Sequence, residues 1–243
     1  MDRRSFVQTG LSALLTYNCS FARAQAATTL HGCRMATKPG GALGVTLLEG
    51  DDGIPKDLQD LHSVLPALAE LFGARPGMSY YDDGAGPNAL AYPTAIFPDG
   101  PDGTVLMGIN LARKELSRQH GFLTPMTIMA HEFAHIVQYK HGMSPEGPWQ
   151  MEPHADFMAG WFLHWCHAQD RIHVKIDKTT IATEDMVEAT IKALFELGDY
   201  AFNDSAHHGE PEFRAAMVRA GYELGSPDPK QAFDKGKKFS GLN

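Results

Sequence analysis

Two histidines one helical turn apart, with a glutamate directly after the first, are the clearest chemical feature of this sequence. They lie in HEFAHIVQYKHGM (131–143), as His131, Glu132 and His135. Residues four apart on an α-helix project from the same face, so the two imidazoles can bind one metal ion. Imidazole nitrogens bind Zn²⁺ at about 2.0–2.1 Å, and Glu132, about 100° further round the helix, can accept a proton from metal-bound water. The pattern therefore predicts a zinc-dependent hydrolytic site with Glu132 as its general base.

A third histidine, His141, lies too far round the helix to complete this site. It follows His135 by six residues, which places it about 240° round from the metal-facing side if the helix continues. A sharp turn near position 138 would bring it back, and glycine is the residue that makes such a turn easily. Position 138 is Gln138, a good helix former, and the first glycine is Gly142. We therefore expect His141 to face solvent or to cap the C-terminus of the helix.

Two carboxylates in the next apolar segment offer a better third ligand. Glu152 and Asp156 are four residues apart in MEPHADFMAGWFLHW (151–165), so they share one helix face. Buried carboxylates are costly unless a positive charge lies beside them, and a zinc ion held by two imidazoles provides it. We expect Glu152 to be the third ligand and Asp156 to accept the free N–H of a zinc-bound histidine. The alternative for both carboxylates is a salt bridge to Arg or Lys.

Two histidines and one glutamate leave a fourth coordination position for water, which is typical of a catalytic zinc site. A structural zinc site favours four protein ligands, commonly cysteines, and this chain has only three cysteines. Of these, Cys33 and Cys166 either remain buried thiols or pair with each other. His154 lies about 200° from Glu152 on the same helix, so we expect it to be a surface or packing residue.

Four segments within residues 125–225 share a pattern with a known enzyme family. They are HEFAHIVQ, EPHADFMAGWFL, ATEDMVEATIKALFELGDYAFND and HHGEPEFRAAMVRAGYELG. They resemble the bacterial neutral zinc metallopeptidases and, more distantly, gluzincins of the CAAX-prenyl-protease and heat-shock-protease type. The resemblance implies a zincin-like fold in which His131, His135 and Glu152 bind zinc and Glu132 is the general base.

The resemblance also assigns roles to two residues further along the chain. The His and the Arg of the family's His-Gly…Arg segment correspond to His208 and Arg214. In the prenyl-protease type the equivalent His precedes Pro and helps to stabilise the transition state, whereas Gly209 follows it here. His208 is therefore either catalytic or a loop histidine that caps the last helix. Arg214 either pairs with Asp156 or lies on the surface.

The elements that must position these residues are mainly helical. Hydrophobic periodicity and capping residues predict helices over 58–72 with a kink at Pro66, 111–120, 125–141, 151–168, 183–199 and 211–224. Strands are predicted over 44–50, 95–97 and 105–109, the last two joined as a hairpin. These elements indicate a single α+β, mainly α domain over residues 27–243, with a loosely ordered tail.

One of these strands has a predicted role in substrate binding. The strand at 105–109 either adds to the substrate backbone, which gives little sequence specificity, or is an ordinary half-buried strand. PNALA (87–91), which precedes it, resembles the Asn-Ala segment beside the active-site edge strand of the prenyl-protease type.

The N-terminus and the composition restrict where the protein acts and on what. Residues 1–26 contain Arg3-Arg4, the apolar run LSALL and small-residue cleavage patterns, which are typical of an export signal. The paired arginines favour a twin-arginine signal, the alternative being an ordinary secretory signal, and either predicts a periplasmic or other extracytoplasmic location. The net charge of −8 without a basic stripe argues against nucleic acid as the main partner. No apolar run reaches the roughly 18–20 residues of a transmembrane span.

Together these patterns predict a zinc metalloendopeptidase that hydrolyses a peptide or protein substrate. One alternative is a zinc-binding module without turnover, and Glu132 argues against it because a purely structural site needs no base. Another is a zinc amidase that acts on cell-wall peptides by the same chemistry.

Overall fold

The structure, a computed structural model, describes residues 46–47, 56–84, 87–118, 121–144, 149–168, 183–196, 210–226 and 228–242. Within those ranges the chain forms eight α-helices and one four-stranded sheet, which confirms the predicted α+β, mainly α class. The predicted export signal (1–26), Cys33 and His208 lie outside these ranges. Cys166 is a buried free thiol.

The helices are α1 (Lys56–Leu61), α2 (Leu65–Phe72), α3 (Ile109–Leu116), α4 (Leu123–Lys140), α5 (Met151–Ala168), α6 (Glu184–Phe195), α7 (Pro211–Leu224) and α8 (Pro229–Ser240). The described strands are β1 (Thr46–Leu47), β2 (Gly77–Asp82), β3 (Ala89–Tyr92) and β4 (Thr104–Gly108), in the sheet order β1-β2-β4-β3. Strand β4 runs parallel to β2 and antiparallel to β3. None of the described helices is both long and apolar enough to cross a membrane.

Strand β4 is the centre of the sheet, which corrects two predictions. It is buried along its whole length and pairs with β2 on one side and with β3 on the other, so it has no free edge for a substrate. The predicted strand at 95–97 is also wrong, because the antiparallel partner of β4 is β3. Pro93 and Pro98 flank residues 95–97 and leave too short a run for a ladder.

Helix α4, which carries the His-Glu-x-x-His motif, agrees with the prediction to within two residues. It begins at Leu123 rather than at Pro125, which is its third residue. It ends at Lys140, and His141 is the C-cap residue, followed by Gly142 in the left-handed region at φ 81°. All but one of its first sixteen residues are buried, so α4 lies in the core rather than on its surface.

Helices α5 and α7 have the predicted bounds of 151–168 and 211–224 and cross very closely. Gly160 and Gly221 each face the backbone of the opposite helix at the crossing, where an added Cβ would overlap the carbonyl oxygens of Val218 and Phe157, respectively. The absence of side chains at these two positions lets the helices approach. This contact holds α7 against the helix that carries Glu152.

The C-terminal tail, predicted to be loosely ordered, instead forms helix α8 against α5 and α7. The side chain of Asp228 caps its N-terminus by accepting from Lys230 N at 2.9 Å, and Pro229 occupies the first turn. Its buried residues are Ala232, Phe233, Gly236 and Ser240. The prediction of a loosely ordered tail was wrong, because the apolar face of α8 is narrow and is flanked in sequence by lysines, which hides the helical period.

The other helix ends differ from prediction by a few residues. The predicted helix over 58–72 is two helices, with a 3₁₀ turn at His62–Val64 between them and Pro66 in the first turn of α2. Helix α3 ends at Leu116 instead of residue 120, and α6 ends at Phe195 instead of residue 199. Thr183 caps α6, since its side chain accepts from Met186 N.

Candidate metal centre

The side chains of His131, His135 and Glu152 meet between helices α4 and α5. One ligating atom from each lies within 4.8 Å of the others, and all three residues are buried. The two imidazole Nε2 atoms are 3.1 Å apart. The Glu152 carboxylate lies 3.4 Å from His131 Nε2 and 3.3 Å from His135 Nε2. Among the described residues, this is the group of ligands that could hold a metal ion.

Each pair of these side chains is separated by about the distance expected for two ligands of one metal ion, although Glu152 contacts His131 through Oε2 and His135 through Oε1. Two ligands bound at about 2.0–2.1 Å with a tetrahedral angle between them are about 3.3–3.4 Å apart. The distances between His131, His135 and Glu152, 3.1 to 3.4 Å, are close to that value. Two neutral imidazoles and one carboxylate are also a donor set that Zn²⁺ prefers. The site can therefore hold a metal ion with little rearrangement.

Asp156 orients the first ligand, as the sequence predicts. Its Oδ1 lies 2.9 Å from His131 Nδ1, so the proton on this nitrogen is donated to Asp156 and Nε2 faces Glu152. Asp156 is itself held by Arg214, whose Nε and Nη2 donate to its two oxygens at 2.8 and 2.7 Å. Both predicted partners of Asp156, a ligand histidine and an arginine, are thus present at once.

The Asp156–Arg214 pair is fully inside the protein. Asp156 is 0% exposed and Arg214 is 5% exposed. Burial raises the pKa of Asp156, but the charge of Arg214 and the hydrogen bond from His131 outweigh it, so its pKa is lowered overall. The surface alternative for Arg214 is therefore wrong, and the carboxylate stays ionised beside His131.

Gln138 holds the ring of His135, a contact that the sequence does not predict. Its Oε1 lies 2.8 Å from Nδ1 of His135, three residues earlier on α4. Gln138 is 0% exposed, although glutamine in an outward position would be solvated. The available signal is its position on the same face of an apolar helix as His131 and His135.

The protonation pattern makes the site attractive to a cation. Both Nδ1 atoms are engaged, so the Nε2 lone pairs of His131 and His135 point toward each other and toward Glu152. Burial lowers the pKa of His131, but Asp156 and Glu152 outweigh it and raise the pKa to about 10. Burial also lowers the pKa of His135, but the charge of Glu152 outweighs it, so this pKa is raised as well. A proton or a metal ion is therefore strongly favoured at this position.

Glu132 and Tyr139 lie beside the three ligands. Glu132 is 7% exposed, and its charge acts on both His135 and Tyr139. Burial raises the pKa of the Tyr139 hydroxyl, and the charges of Glu132 and Glu152 raise it further. The Tyr139 ring stacks on His135 with centroids 6.3 Å apart, and its hydroxyl donates to the carbonyl of Ala91 at 3.3 Å. Tyr139 thereby connects the metal-facing side of α4 to strand β3.

The remaining histidines of this region are outside the cluster. His141 is exposed at the end of α4 and stacks on Phe233 at 4.5 Å, which confirms that it caps the helix instead of completing the site. His154 is 0% exposed, so the packing alternative is confirmed and the surface alternative is wrong. The downstream His-Gly…Arg segment assigns roles to His208 and Arg214, and of these two residues the structure describes only Arg214.

No protein-family model, curated protein or solved structure matches this chain. What the site can do must therefore follow from its own residues.

Proposed function

We propose that this protein is an exported zinc metallopeptidase of the gluzincin type, with a zincin-like fold. The observation that carries the proposal is the convergence of His131, His135 and Glu152 within ligand distance of one metal ion, with the charge of Glu132 acting on His135. Support also comes from Asp156 and Gln138, which hold both imidazoles with Nε2 directed at one point. The signal-like segment 1–26 supports an extracytoplasmic location.

The proposed chemistry is hydrolysis of a peptide bond. A bound zinc ion would lower the pKa of its water and polarise the scissile carbonyl. Glu132 would accept a proton from the attacking water and later pass it to the leaving amine nitrogen. The buried position of Glu132 restricts its contact with bulk water, which favours transfer to the amine. His208, assigned by resemblance, would stabilise the oxyanion.

The substrate backbone is proposed to add to β3 instead of β4. Strand β3 is an edge of the sheet among the described residues, and it packs against α4. Tyr139 lies between it and the ligands, with its hydroxyl on Ala91 O. An extended peptide paired with this edge would pass alongside the metal centre, which agrees with the resemblance of PNALA (87–91) to an edge-strand segment.

The test compares wild-type protein with Glu132→Gln, using Glu188→Gln on the exposed face of α6 as a control for the loss of one charge. Glu132→Gln should retain about one zinc ion per chain but lose hydrolysis by several orders of magnitude, while the control retains both. Unchanged hydrolysis in Glu132→Gln would rule out the general-base role. Casein and peptidoglycan fragments are both tested as substrates. Cleavage of the peptidoglycan fragments but not of casein would identify an amidase. A zinc-loaded wild type inert on both is a binding module.

A further inference from the structure

We infer that Gln138 is a positioning residue for His135 and that a buried hydrogen-bonded chain through Gln138 and His154 makes helix α8 part of the metal centre. The inference rests on the proposed metal site, but its tests do not require hydrolysis.

The chain of hydrogen bonds runs through three helices. Gln138 accepts from His135 Nδ1 at 2.8 Å within α4. The amide nitrogen of Gln138 lies 2.8 Å from the carbonyl oxygen of Met151 and 2.8 Å from Nδ1 of His154, both on α5. His154 Nε2 then lies 3.2 Å from the carbonyl oxygen of Phe233 on α8. The three residues that form these hydrogen bonds are each 6% exposed or less.

The backbone carbonyls at two points fix the direction of every bond. A carbonyl oxygen can only accept, so the group that faces Met151 O must be the NH₂ of Gln138. The oxygen of Gln138 then faces His135, whose Nδ1 must carry the proton. The second proton of the same NH₂ goes to His154 Nδ1, which leaves His154 Nε2 to donate to Phe233 O. In the neutral ring the proton of His135 is therefore on Nδ1, and its Nε2 presents the lone pair that a metal ligand requires.

Helix α8 is fitted to the last member of this chain. The ring of Phe233 packs edge-on against His154, with centroids 4.6 Å apart. An added Cβ at Gly236 would lie 2.9 Å from His154 Cδ2, so this position lets α8 approach closely. The His154 ring is therefore enclosed by α8 as well as bonded to it, and water is kept from the chain.

The consequence is a reciprocal coupling between zinc and α8. If α8 helps to hold His135 in its binding orientation, zinc binding must in turn stabilise the docking of α8. Outer hydrogen bonds to metal ligands typically change metal affinity by about 10- to 100-fold.

The experiment measures zinc affinity by chelator competition, and hydrogen exchange of α8 amides with and without zinc. Gln138→Leu should weaken zinc binding by about 10- to 100-fold and abolish the zinc-induced protection of α8. Two matched control variants, Thr127→Val on α4 and Ser240→Ala on α8, each lose a local hydrogen bond that is not part of the Gln138–His154 chain of hydrogen bonds. Both should keep wild-type affinity and the protection response. A folded Gln138→Leu with wild-type affinity would overturn the inference.

Two further measurements keep the inference testable if Gln138→Leu does not fold. His154→Leu leaves Gln138 bonded to Met151 O, so zinc affinity should fall less, while the response of α8 to zinc should disappear. In unmodified protein, ¹⁵N NMR should show His154 with a proton on Nε2 and none on Nδ1, and the opposite tautomer would overturn the chain's polarity. A protein that shows these properties but cleaves no peptide would contradict only the proposed function.

Discussion

Nε2 of His131 lies 3.1 Å from Nε2 of His135, while the Nδ1 atom of each ring is engaged by a different partner. Asp156 accepts from one ring and Gln138 from the other. The two rings therefore present lone pairs to a common point, and Glu152 adds a carboxylate there. Three electron-pair donors buried together are unfavourable unless a cation binds between them. The raised pKa values of both imidazoles reflect this preference for a cation, and a metal ion that takes the place of the proton would satisfy all three donors at once.

Removing the carboxylate ligand should disrupt zinc binding, whereas removing His141 should not. Glu152→Ala takes away one of three ligands, so its zinc affinity should fall by more than the roughly 100-fold typical of a lost outer hydrogen bond. His141→Ala changes only an exposed ring at the end of α4 and should bind zinc like the wild type. Isothermal titration or chelator competition on both variants measures this. The reverse ranking would show that the chain turns back at position 138 to use His141.

Two arginines on α7 provide a direct comparison of a buried and an exposed ion pair. Arg214 binds buried Asp156 through two hydrogen bonds, and Arg219 binds exposed Glu188 in the same way at 2.7 and 2.9 Å. Arg214→Met should cost about 3–5 kcal/mol of unfolding free energy, because it leaves a buried carboxylate without its cation. Arg219→Met should cost less than about 1 kcal/mol. Urea denaturation measures both, and equal losses would contradict the burial of the Asp156 pair.

His154 should make the protein sensitive to mild acid. Burial lowers the pKa of His154 from 6.5 to about 4, so the unfolded chain binds a proton between these pH values while the folded chain does not. Stability should therefore decrease as the pH falls from about 6.5 to 4 and level off below it. At about 1.4 kcal/mol per pKa unit, the loss is on the order of 3 kcal/mol. It should be absent in His154→Leu, and denaturation of both metal-free proteins at pH 7 and 4.5 tests this. Parallel losses in the two proteins would contradict it.

The sequence predicts the helices of the site well because their signals are local. The period of apolar residues locates α4 to within two residues and reproduces the bounds of α5 and α7. The same helical spacing places His131 with His135, and Glu152 with Asp156, on shared faces. These pairs needed no information from distant parts of the chain.

The sheet and the Gln138 chain depend on contacts that are remote in sequence. Residues 89–92 and 95–97 carry similar apolar signals, and packing of the former against α4, including Tyr139 to Ala91, decides between them. Likewise, the helix propensity of glutamine explains why α4 continues past Gln138, but it does not indicate where the Gln138 side chain points. That depends on α5 and α8, and α8 itself has an apolar face too narrow to be recognised from periodicity.

X-ray absorption at the zinc edge of the purified protein would identify the ligands of the bound ion. The proposed function predicts one zinc ion per chain with four nitrogen or oxygen neighbours at about 2.0 Å, two of them imidazoles, and no sulfur. Alanine at His131 or His135 should remove one imidazole from that shell or abolish binding. A protein that binds no zinc, or that binds it through a thiolate, would contradict this prediction. An unchanged coordination shell after either substitution would contradict it as well.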